Sequence, residues 1–230
     1  MLQLHRIVAR PMSKRKYAVV GLAAFGSTVA KELESLGNEV LGIDEDEMRV
    51  NHIADEISHA VIADGRDERT LRSLGLAEYD GVVVAIGEDL ESSILCTLAL
   101  KNLGVQQVWV KASSPAHHLI LEKLGADRIV NPEHHVGMHV ARTMTYPHVL
   151  DYIALGGDDY VVEFEVPQTL DRHPVDKLLL HERYGIEVLA FKRGGNASSR
   201  ITADLHLSTG DRLVLLGNIA ALRRFSLEQL

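Results

Sequence analysis

Cysteines and long apolar runs are scarce in this chain of 230 residues. The single cysteine, Cys96, excludes an internal disulfide and fits a reducing compartment. No apolar run approaches the roughly 20 residues that a membrane-spanning helix needs. The first residues also lack the continuous apolar core of a signal peptide. We therefore expect a soluble protein of the cytoplasm.

Positive charge is also in short supply. The chain has 24 lysines and arginines against 32 aspartates and glutamates, which gives a formal net charge of -8. The basic residues form no stripe with interleaved aromatic side chains, so nucleic acid is not expected as a partner. Hydrophobic residues make up 46% of the chain, which is enough to build a sizeable core.

Short, branched apolar runs alternate with helical patterns from residue 16 to residue 145. Runs such as "KYAVV", "EVLGI" and "GVVVAI" are typical of buried parallel strands, and the helical patterns between them end at Gly37, Gly75 and Gly125. This alternation predicts an α/β fold, a Rossmann-like doubly wound parallel sheet over residues 16–145. Residues 1–15 are expected to be a disordered N-terminal extension.

The pattern changes at Pro147, and a hinge is predicted over residues 146–159. Beyond it, "YVVEFEV" alternates as a half-exposed strand does, while "IEVLAF" and "RLVLLG" predict two more strands. The segment "RGGN" indicates a turn. These signals predict a small C-terminal α+β domain over residues 160–230.

The first strand is followed by "GLAAFG", a variant of the G-x-G-x-x-G dinucleotide fingerprint. Gly21 and Gly26 hold the outer positions, whereas Ala23 replaces the middle glycine and adds a methyl group near the expected pyrophosphate. The helix that begins near Phe25 still offers backbone N–H groups to an anion. We expect weakened but retained phosphate binding. The alternative is a tight turn that binds no ligand.

Asp44 ends the second strand and follows Gly26 by 18 residues, close to the spacing of the acid that binds a nucleotide ribose. A carboxylate there accepts hydrogen bonds from ribose hydroxyls and repels a 2′-phosphate, which disfavours NADP. The alternative is that "DEDE" only supplies acids to the start of a helix. That explanation suits Glu45 to Glu47 better than Asp44.

Other strand ends should meet at the same edge of the sheet. They carry "ADG", "AIG" and Lys111. Asp64 could accept a hydrogen bond from the adenine amino group, and Lys111 could neutralise phosphate. Each signal is weak alone, because a charged residue after a buried strand is often only solvated.

The histidine-rich segment "EHHVGMH" raises the question of a metal site. His135 and His139 are four residues apart on one helical face, with Glu133 beside them. No third ligand follows at a recognised spacing, so zinc is not expected. Glu133 is a better candidate for a cation bridged through nucleotide phosphates.

Catalytic signatures such as a G-x-S-x-G elbow or a P-loop lysine do not occur in the sequence. We therefore expect a protein that binds a nucleotide without transforming it. Two alternatives remain: an NAD-dependent oxidoreductase and a scaffold that binds no nucleotide.

Several segments together resemble a known family. "YAVVGLAAFG", "VVVAIGED", "VWVKA" and above all "LEKLGADRIVNPE" are similar to the RCK (regulator of K⁺ conductance) proteins, the cytosolic gating subunits of bacterial Ktr/Trk potassium transporters. The resemblance extends from about Lys16 to the C-terminus. It implies a Rossmann lobe that binds ATP, ADP or NAD(H), and no enzymatic activity.

The resemblance also implies partners. Homodimers through the late helices of the lobe would assemble into an octameric ring. The ring would dock on a membrane subunit that conducts K⁺, which places the chain at the inner face of the cell membrane. The small lobe binds cyclic di-AMP in some members.

The family pattern places the ribose acid on Asp44, adenine contacts on Asp64 and Gly65, and phosphate contacts on Lys111. It places His117 near the ligand, and Glu133 on the acid that meets the phosphates through Mg²⁺ or Ca²⁺. The expected site comprises Gly21, Ala23, Ala24, Phe25, Gly26, Asp44, Asp64, Gly65, Ile86, Gly87, Lys111, Ala112, His117 and Glu133.

The chain departs from the family at the fingerprint itself. Most members have G-L-G-R-F-G, with an arginine that reaches the terminal phosphate, whereas Ala23 and Ala24 occupy these positions here. The substitution removes the close backbone approach and the charge. We therefore expect nucleotide binding with impaired sensing of the γ-phosphate.

Overall fold

The computed structural model describes residues 14–202 and 205–229. The predicted N-terminal extension falls largely outside this part of the chain. The described residues form two compact units, with the division between Pro132 and Glu133.

The first unit contains a parallel sheet with the strand order β3-β2-β1-β4-β5-β6, six strands within the described residues. The strands are β1 Lys16–Val20, β2 Glu39–Asp44, β3 His59–Ile62, β4 Gly81–Val84, β5 Val108–Lys111 and β6 Arg128–Val130. The helices between them are α1 Ala24–Ser35, α2 Glu47–Ile53, α3 Glu68–Ser73, α4 Leu90–Asn102 and α5 Pro115–Lys123. The predicted Rossmann-like sheet is confirmed.

The central strand β1 explains why the sheet is parallel and covered on both faces. Ala18, Val19 and Val20 are all at most 2% exposed, so neither face of the strand meets water. A strand that is apolar on both faces needs helices on both sides, which the β–α–β crossovers supply. The strand order changes direction between β1 and β4, and ligands of such sheets bind outside the carboxyl ends of the strands at this point.

The second unit contains an antiparallel sheet with the order β10-β9-β11-β8-β7, five strands in the part of this unit that is described. Its elements are α6 Pro132–Thr145, β7 Val149–Gly156, β8 Asp159–Glu165, α7 Leu180–Tyr184, β9 Glu187–Arg193, β10 Asn196–Ser198, β11 Arg212–Asn218 and α8 Ile219–Leu227. Its core includes Phe164 and Phe225, whose ring centroids lie 5.0 Å apart. The predicted small α+β domain is confirmed as a fold class.

Two predicted boundaries differ from the observed elements. Residues 133–145 were assigned to the Rossmann-like domain, whereas the chain divides before Glu133 and α6 lies with the second unit. The segment 146–159, expected to be a hinge, contains β7, which pairs with β8 along most of its length. Pro147 therefore separates a helix from a strand. Val136 and Met144 on α6 are 60% and 83% exposed.

Candidate functional site

A cavity of about 220 Å³ opens at the carboxyl edge of the parallel sheet. The segments that follow β1, β2, β3 and β4 all contribute to it, because parallel strands end at the same edge. The expected site residues that line it are Gly21, Ala23, Asp44, Asp64, Gly65, Ile86 and Gly87.

The two retained glycines of the fingerprint are required by the backbone geometry. Gly21 has φ of 94°, and a Cβ at this position would lie 3.0 Å from the carbonyl carbon of Ala85. A Cβ at Gly26 would lie 1.8 Å from the carbonyl oxygen of Gly21. Ala23, in contrast, has φ of -65° and ψ of -175°, which any residue adopts. The turn therefore needs Gly21 and Gly26 but tolerates an alanine between them.

The first helix begins at this turn without a side-chain cap. Ala23 is its N-cap and makes no side-chain hydrogen bond to the helix. The next four helices are each capped by a polar side chain, namely that of Asp46, Asp67, Asp89 or Ser114. The first N–H groups of a helix have no intrahelical partner, and α1 has no side chain to satisfy them. The start of α1 therefore suits an anionic ligand.

Asp44 is hydrogen-bonded to the backbone of the site without any ligand. Its carboxylate is 6% exposed and accepts hydrogen bonds from the backbone N–H of Leu22 at 2.6 Å and from that of Asp46 at 2.9 Å. The contact with Leu22 joins the end of β2 to the fingerprint turn after β1. A carboxylate has about four acceptor positions, so Asp44 keeps capacity for ribose hydroxyls.

Asp64 lines the cavity, but Arg66 occupies its carboxylate. Arg66 Nε and Nη2 donate to Asp64 Oδ1 and Oδ2, each at 2.8 Å, and the Arg66 backbone N–H also donates to Oδ1. The hydrogen bond from the Arg66 side chain holds the pKa of Asp64 below its usual value. The neighbouring Gly65 allows close packing, because a Cβ there would lie 2.6 Å from Val20 Cγ1.

Lys111 lies beside the cavity without lining it. A Cβ at Gly87 would lie 2.9 Å from Lys111 Nζ, so the ammonium group reaches the loop after β4. The same nitrogen lies 5.8 Å from the centroid of the Phe25 ring at the start of α1. Lys111 and Phe25 thus approach the same end of the cavity as the uncapped helix.

Ala24 and Gly26 also lie in the first turn of α1 and do not line the cavity. Ala112 does not line it either and is fully buried. His117 is 1% exposed at the start of α5, and its Nδ1 accepts a hydrogen bond from the Ser113 N–H at 3.2 Å. The neutral ring therefore carries its proton on Nε2, which has no partner among the described residues. Burial lowers the pKa of His117, which favours this neutral form.

Glu133 belongs to the second unit and is exposed near the start of α6. Within the part of the chain that is described, no cluster of three or more metal-ligating side chains occurs. His135 and His139 therefore have no third ligand among the described residues.

The sequence analysis missed several charged residues of the cavity. In the described part of the chain, the lining carries five carboxylates and two guanidinium groups, namely Asp44, Glu45, Asp64, Glu88 and Asp89 with Arg49 and Arg66. Both arginines face carboxylates. Arg49 Nη1 lies 3.7 Å from Asp44 Oδ2, and Arg66 Nη2 lies 2.8 Å from Asp64 Oδ2. Glu45 could have been found by the signal used for Asp44, a polar residue at the end of a buried strand. Arg49 lies within α2, where that signal does not apply.

Comparison with known proteins gives a consistent result over most of the chain. The TrkA-N domain family matches residues 17–132, and the TrkA-C domain family matches residues 161–228. The Ktr system potassium uptake protein A of Bacillus subtilis (strain 168) is 37% identical, over 94% of this chain and 98% of that protein. The Ktr system potassium uptake protein C of the same organism is 39% identical, over 92% of this chain and 96% of that protein. The chain belongs to the Ktr potassium uptake protein family.

Solved structures agree with this Ktr family assignment at the level of the fold. The GsuK RCK domain matches with a TM-score of 0.68 at 18% identity, over 98% of this chain and 50% of that chain. The GsuK channel bound to NAD matches with a TM-score of 0.66 at 16% identity, over 94% of this chain and 40% of that chain. This chain thus spans half or less of the GsuK chains.

Within the described residues of this Ktr family member, no helix combines the length and the apolar character that crossing a bilayer requires.

Proposed function

We propose that this chain is a nucleotide-binding regulatory subunit of a potassium uptake system. The observation that carries the proposal is the identity of 37% and 39% to two Ktr system potassium uptake proteins over nearly the full length of each chain. The cavity at the fingerprint turn supplies the place for a ligand. The chain regulates transport by changing conformation with its ligand, and it does not transform that ligand.

The ligand is an adenine nucleotide, ATP, ADP or NAD(H). Its diphosphate lies at the uncapped start of α1, near Lys111, and its ribose lies on Asp44. The base lies at the segments after β3 and β4, where Gly65, Ile86 and Gly87 line the cavity. The GsuK structures bound to NAD and to ADP support such ligands for the shared fold.

A divalent cation accompanies ATP in this proposal. The carboxylates that line the cavity would repel three phosphates, and Mg²⁺ or Ca²⁺ offsets that repulsion. Glu133 is an oxygen donor of the kind that these cations prefer.

ATP should then raise the melting temperature of the protein more with Mg²⁺ than with EDTA. Glu133→Gln should remove this difference, whereas Glu122→Gln on α5 should keep it. Equal cation dependence of both variants and wild type would refute the bridging role.

The chain acts as a homodimer within an octameric ring that docks on a membrane subunit. Exposed apolar side chains on α4 and α5 support an interface on these helices, since Leu98 and Leu119 are 41% and 60% exposed. The ring lies at the cytoplasmic face of the membrane, where it binds the membrane subunit that conducts K⁺. Binding of cyclic di-AMP to the second unit rests on the family resemblance alone.

The test is a melting-temperature screen of the purified chain against ATP, ADP, NAD⁺, NADH and cyclic di-AMP. A regulatory subunit should be stabilised by at least one adenine nucleotide and should produce no change in cofactor absorbance with candidate substrates. Oxidation or reduction of a substrate would instead indicate an NAD-dependent oxidoreductase. No stabilisation by any nucleotide would indicate a scaffold.

A second test addresses transport directly. Cells that lack potassium uptake should grow at low K⁺ only when this chain is produced together with a Ktr membrane subunit. A variant that has lost nucleotide binding but still forms the ring should restore less growth. Full growth with such a variant would separate the chain from nucleotide regulation.

A further inference from the structure

Arg66 is a side chain at the cavity to which neither the fingerprint nor the family resemblance assigns a role. It follows Gly65 in the segment after β3 and lines the cavity with 43% of its side chain exposed. Its guanidinium is held by the bidentate contact with Asp64 and lies 3.6 Å from Glu45 Oε2. Asp64 follows β3 and Glu45 follows β2, so Arg66 spans the ends of two neighbouring strands.

These contacts fix the plane of the guanidinium. A bidentate pair holds both nitrogens of the fork in the plane of the carboxylate, which limits rotation of the group. The edge of the fork is used by Asp64, and its charge is balanced by Asp64 and Glu45. The Nη1 N–H groups and the flat face of the guanidinium, which stacks on aromatic rings, remain available to a ligand.

The same contacts leave little of Asp64 for a ligand. Oδ1 accepts from two Arg66 groups, and Oδ2 accepts from Nη2 at 2.8 Å and from Nε at 3.1 Å. An adenine amino group would have to displace one of these charge-assisted hydrogen bonds. Recognition of adenine by direct contact with Asp64 is therefore disfavoured in this chain.

We propose that Arg66 forms a stacking wall of the base subsite, held in place by Asp64 and Glu45. The inference rests on the proposed nucleotide function and specifies how the base is bound. It predicts recognition of a purine through its face, with little dependence on the exocyclic amino group. ADP and IDP should then bind within about threefold of each other, because both purines present a π-face.

Calorimetry of the full chain with ADP and IDP tests the proposal through two substitutions of Arg66. Arg66→Ala should weaken both ligands by about three- to thirtyfold. Arg66→Lys keeps the charge but lacks the planar group, so it should weaken both by about threefold or more. Arg72→Lys on α3 is the control, because Arg72 pairs with Glu68 and does not line the cavity. Wild-type affinity of Arg66→Lys would overturn the stacking role.

Asp64→Asn separates a positioning role from direct contact with the base. As a positioning residue, Asp64 should affect ADP and IDP equally, and its loss should cost less than the loss of Arg66. A loss confined to ADP would mean that Asp64 binds the adenine amino group, which would overturn the proposal. A loss in Arg66→Ala confined to NADP⁺ rather than NAD⁺ would assign Arg66 to a 2′-phosphate and would also overturn it. If wild type binds neither ADP nor IDP, the proposed nucleotide function itself fails.

Discussion

The Asp44 carboxylate stabilises the fold through hydrogen bonds and is also the proposed ligand of the nucleotide ribose. It accepts hydrogen bonds from the backbone N–H groups of Leu22 and Asp46 and is almost fully buried. The carboxylate therefore holds the fingerprint turn against the end of β2, whether or not a ribose is bound. Any substitution at this position will affect stability as well as affinity.

We predict that Asp44→Ala binds adenine nucleotides at least about tenfold more weakly, because a hydrogen bond to a charged group contributes about 1.5–3 kcal/mol. The ligand 2′-deoxy-ADP provides the control, since it lacks one of the hydroxyls that Asp44 is proposed to bind. Wild type should bind ADP more tightly than 2′-deoxy-ADP in calorimetry, and Asp44→Ala should bind both equally. An unchanged preference in the variant would locate the ribose elsewhere. The unpaired Leu22 N–H should also lower the unfolding free energy by about 1–3 kcal/mol.

The two alanines of the fingerprint separate charge from steric fit. Ala24 is exposed in the first turn of α1, so an arginine can enter without a clash. We predict that Ala24→Arg tightens ATP about five- to a hundredfold through a charge-assisted contact, with a much smaller effect on ADP and NAD⁺. Ala24→Gln is the uncharged control. Tightening of all ligands alike would contradict a contact with the γ-phosphate.

Ala23→Gly should behave differently from Ala24→Arg. It removes a methyl group that lines the cavity, so ATP, ADP and NAD⁺ should all bind more tightly and by similar factors. The helix should not suffer, because glycine is a better N-cap than alanine. Calorimetry with the three ligands measures both effects. A gain for ATP only would mean that the methyl group does not crowd the shared diphosphate.

At the scale of elements, capping distinguishes α1, the helix proposed to bind the phosphates, from its neighbours. Four helices have a first turn capped by a side chain, that of Asp46, Asp67, Asp89 or Ser114, whereas Ala23 provides no such cap for α1.

In the second unit, a buried acid joins neighbouring elements through hydrogen bonds. Asp211 precedes β11 and accepts hydrogen bonds from Arg193 of β9 and from the Ser208 N–H.

This acid predicts how the stability of the second unit depends on pH. Burial alone would raise the pKa of Asp211, but the hydrogen bonds from Arg193 and Ser208 outweigh burial and lower it. A lowered pKa in the folded state stabilises the protein above the unfolded pKa of about 3.9, and this contribution is lost as the pH falls through the folded value. Asp211→Asn should lose about 1.5–3 kcal/mol of unfolding free energy at pH 7.

Urea unfolding of wild type and of Asp211→Asn at pH 7 and near pH 3 measures the contribution of this acid. The difference between the two proteins should shrink at the lower pH, because below about pH 3.9 Asp211 binds a proton in the unfolded state of wild type, while its lowered pKa disfavours protonation in the folded state. A constant difference would mean that its charge contributes nothing. Asp171→Asn is a matched control. The Asp171 side chain is more exposed than that of Asp211, and it also accepts a hydrogen bond from a backbone N–H group, that of Thr209.

At the scale of the whole molecule, exposed apolar side chains support the proposed interface between copies of the chain. Leu119 on α5 is 60% exposed, and α5 contacts α4, which carries further exposed leucines. Burial of such side chains against a second copy removes apolar surface from water. The resemblance to the family places the dimer interface on these late helices.

We predict that Leu119→Glu reduces the assembly from an octamer, eight times the 25.4 kDa chain, to smaller species. The substituted side chain is exposed, so the unfolding free energy should change by no more than about 1 kcal/mol. Met48→Glu on α2 is the matched control, because Met48 is 78% exposed on a helix that packs beside β2 and β3. Light scattering measures the mass. Equal masses of Leu119→Glu and wild type would exclude α5 from the interface.

Local patterns in the sequence were sufficient to identify the elements of the first unit and the edge where the site lies. The buried strands appear as apolar runs because both faces of a parallel sheet are covered, and Gly21 and Gly26 are recognisable because no other residue fits there. Asp44 and Asp64 could be assigned to the site because Asp44 ends β2 and Asp64 lies shortly after β3. The strand β7 was missed because Pro147 and the glycines near its end indicate a break rather than a strand.

The sequence by itself thus determined the fold class, the family and the edge of the sheet where the proposed ligand site lies, because these depend on local periodicity and on backbone conformations that only glycine adopts. The tertiary structure decided which charges face one another. Arg66 and Asp64 are close in sequence, but only the packing of β2 beside β3 brings Arg66 to Glu45. Likewise, Asp44 holds Leu22 only because β1 and β2 are neighbours in the sheet. The charge balance of the site follows from these long-range contacts, which no local pattern encodes.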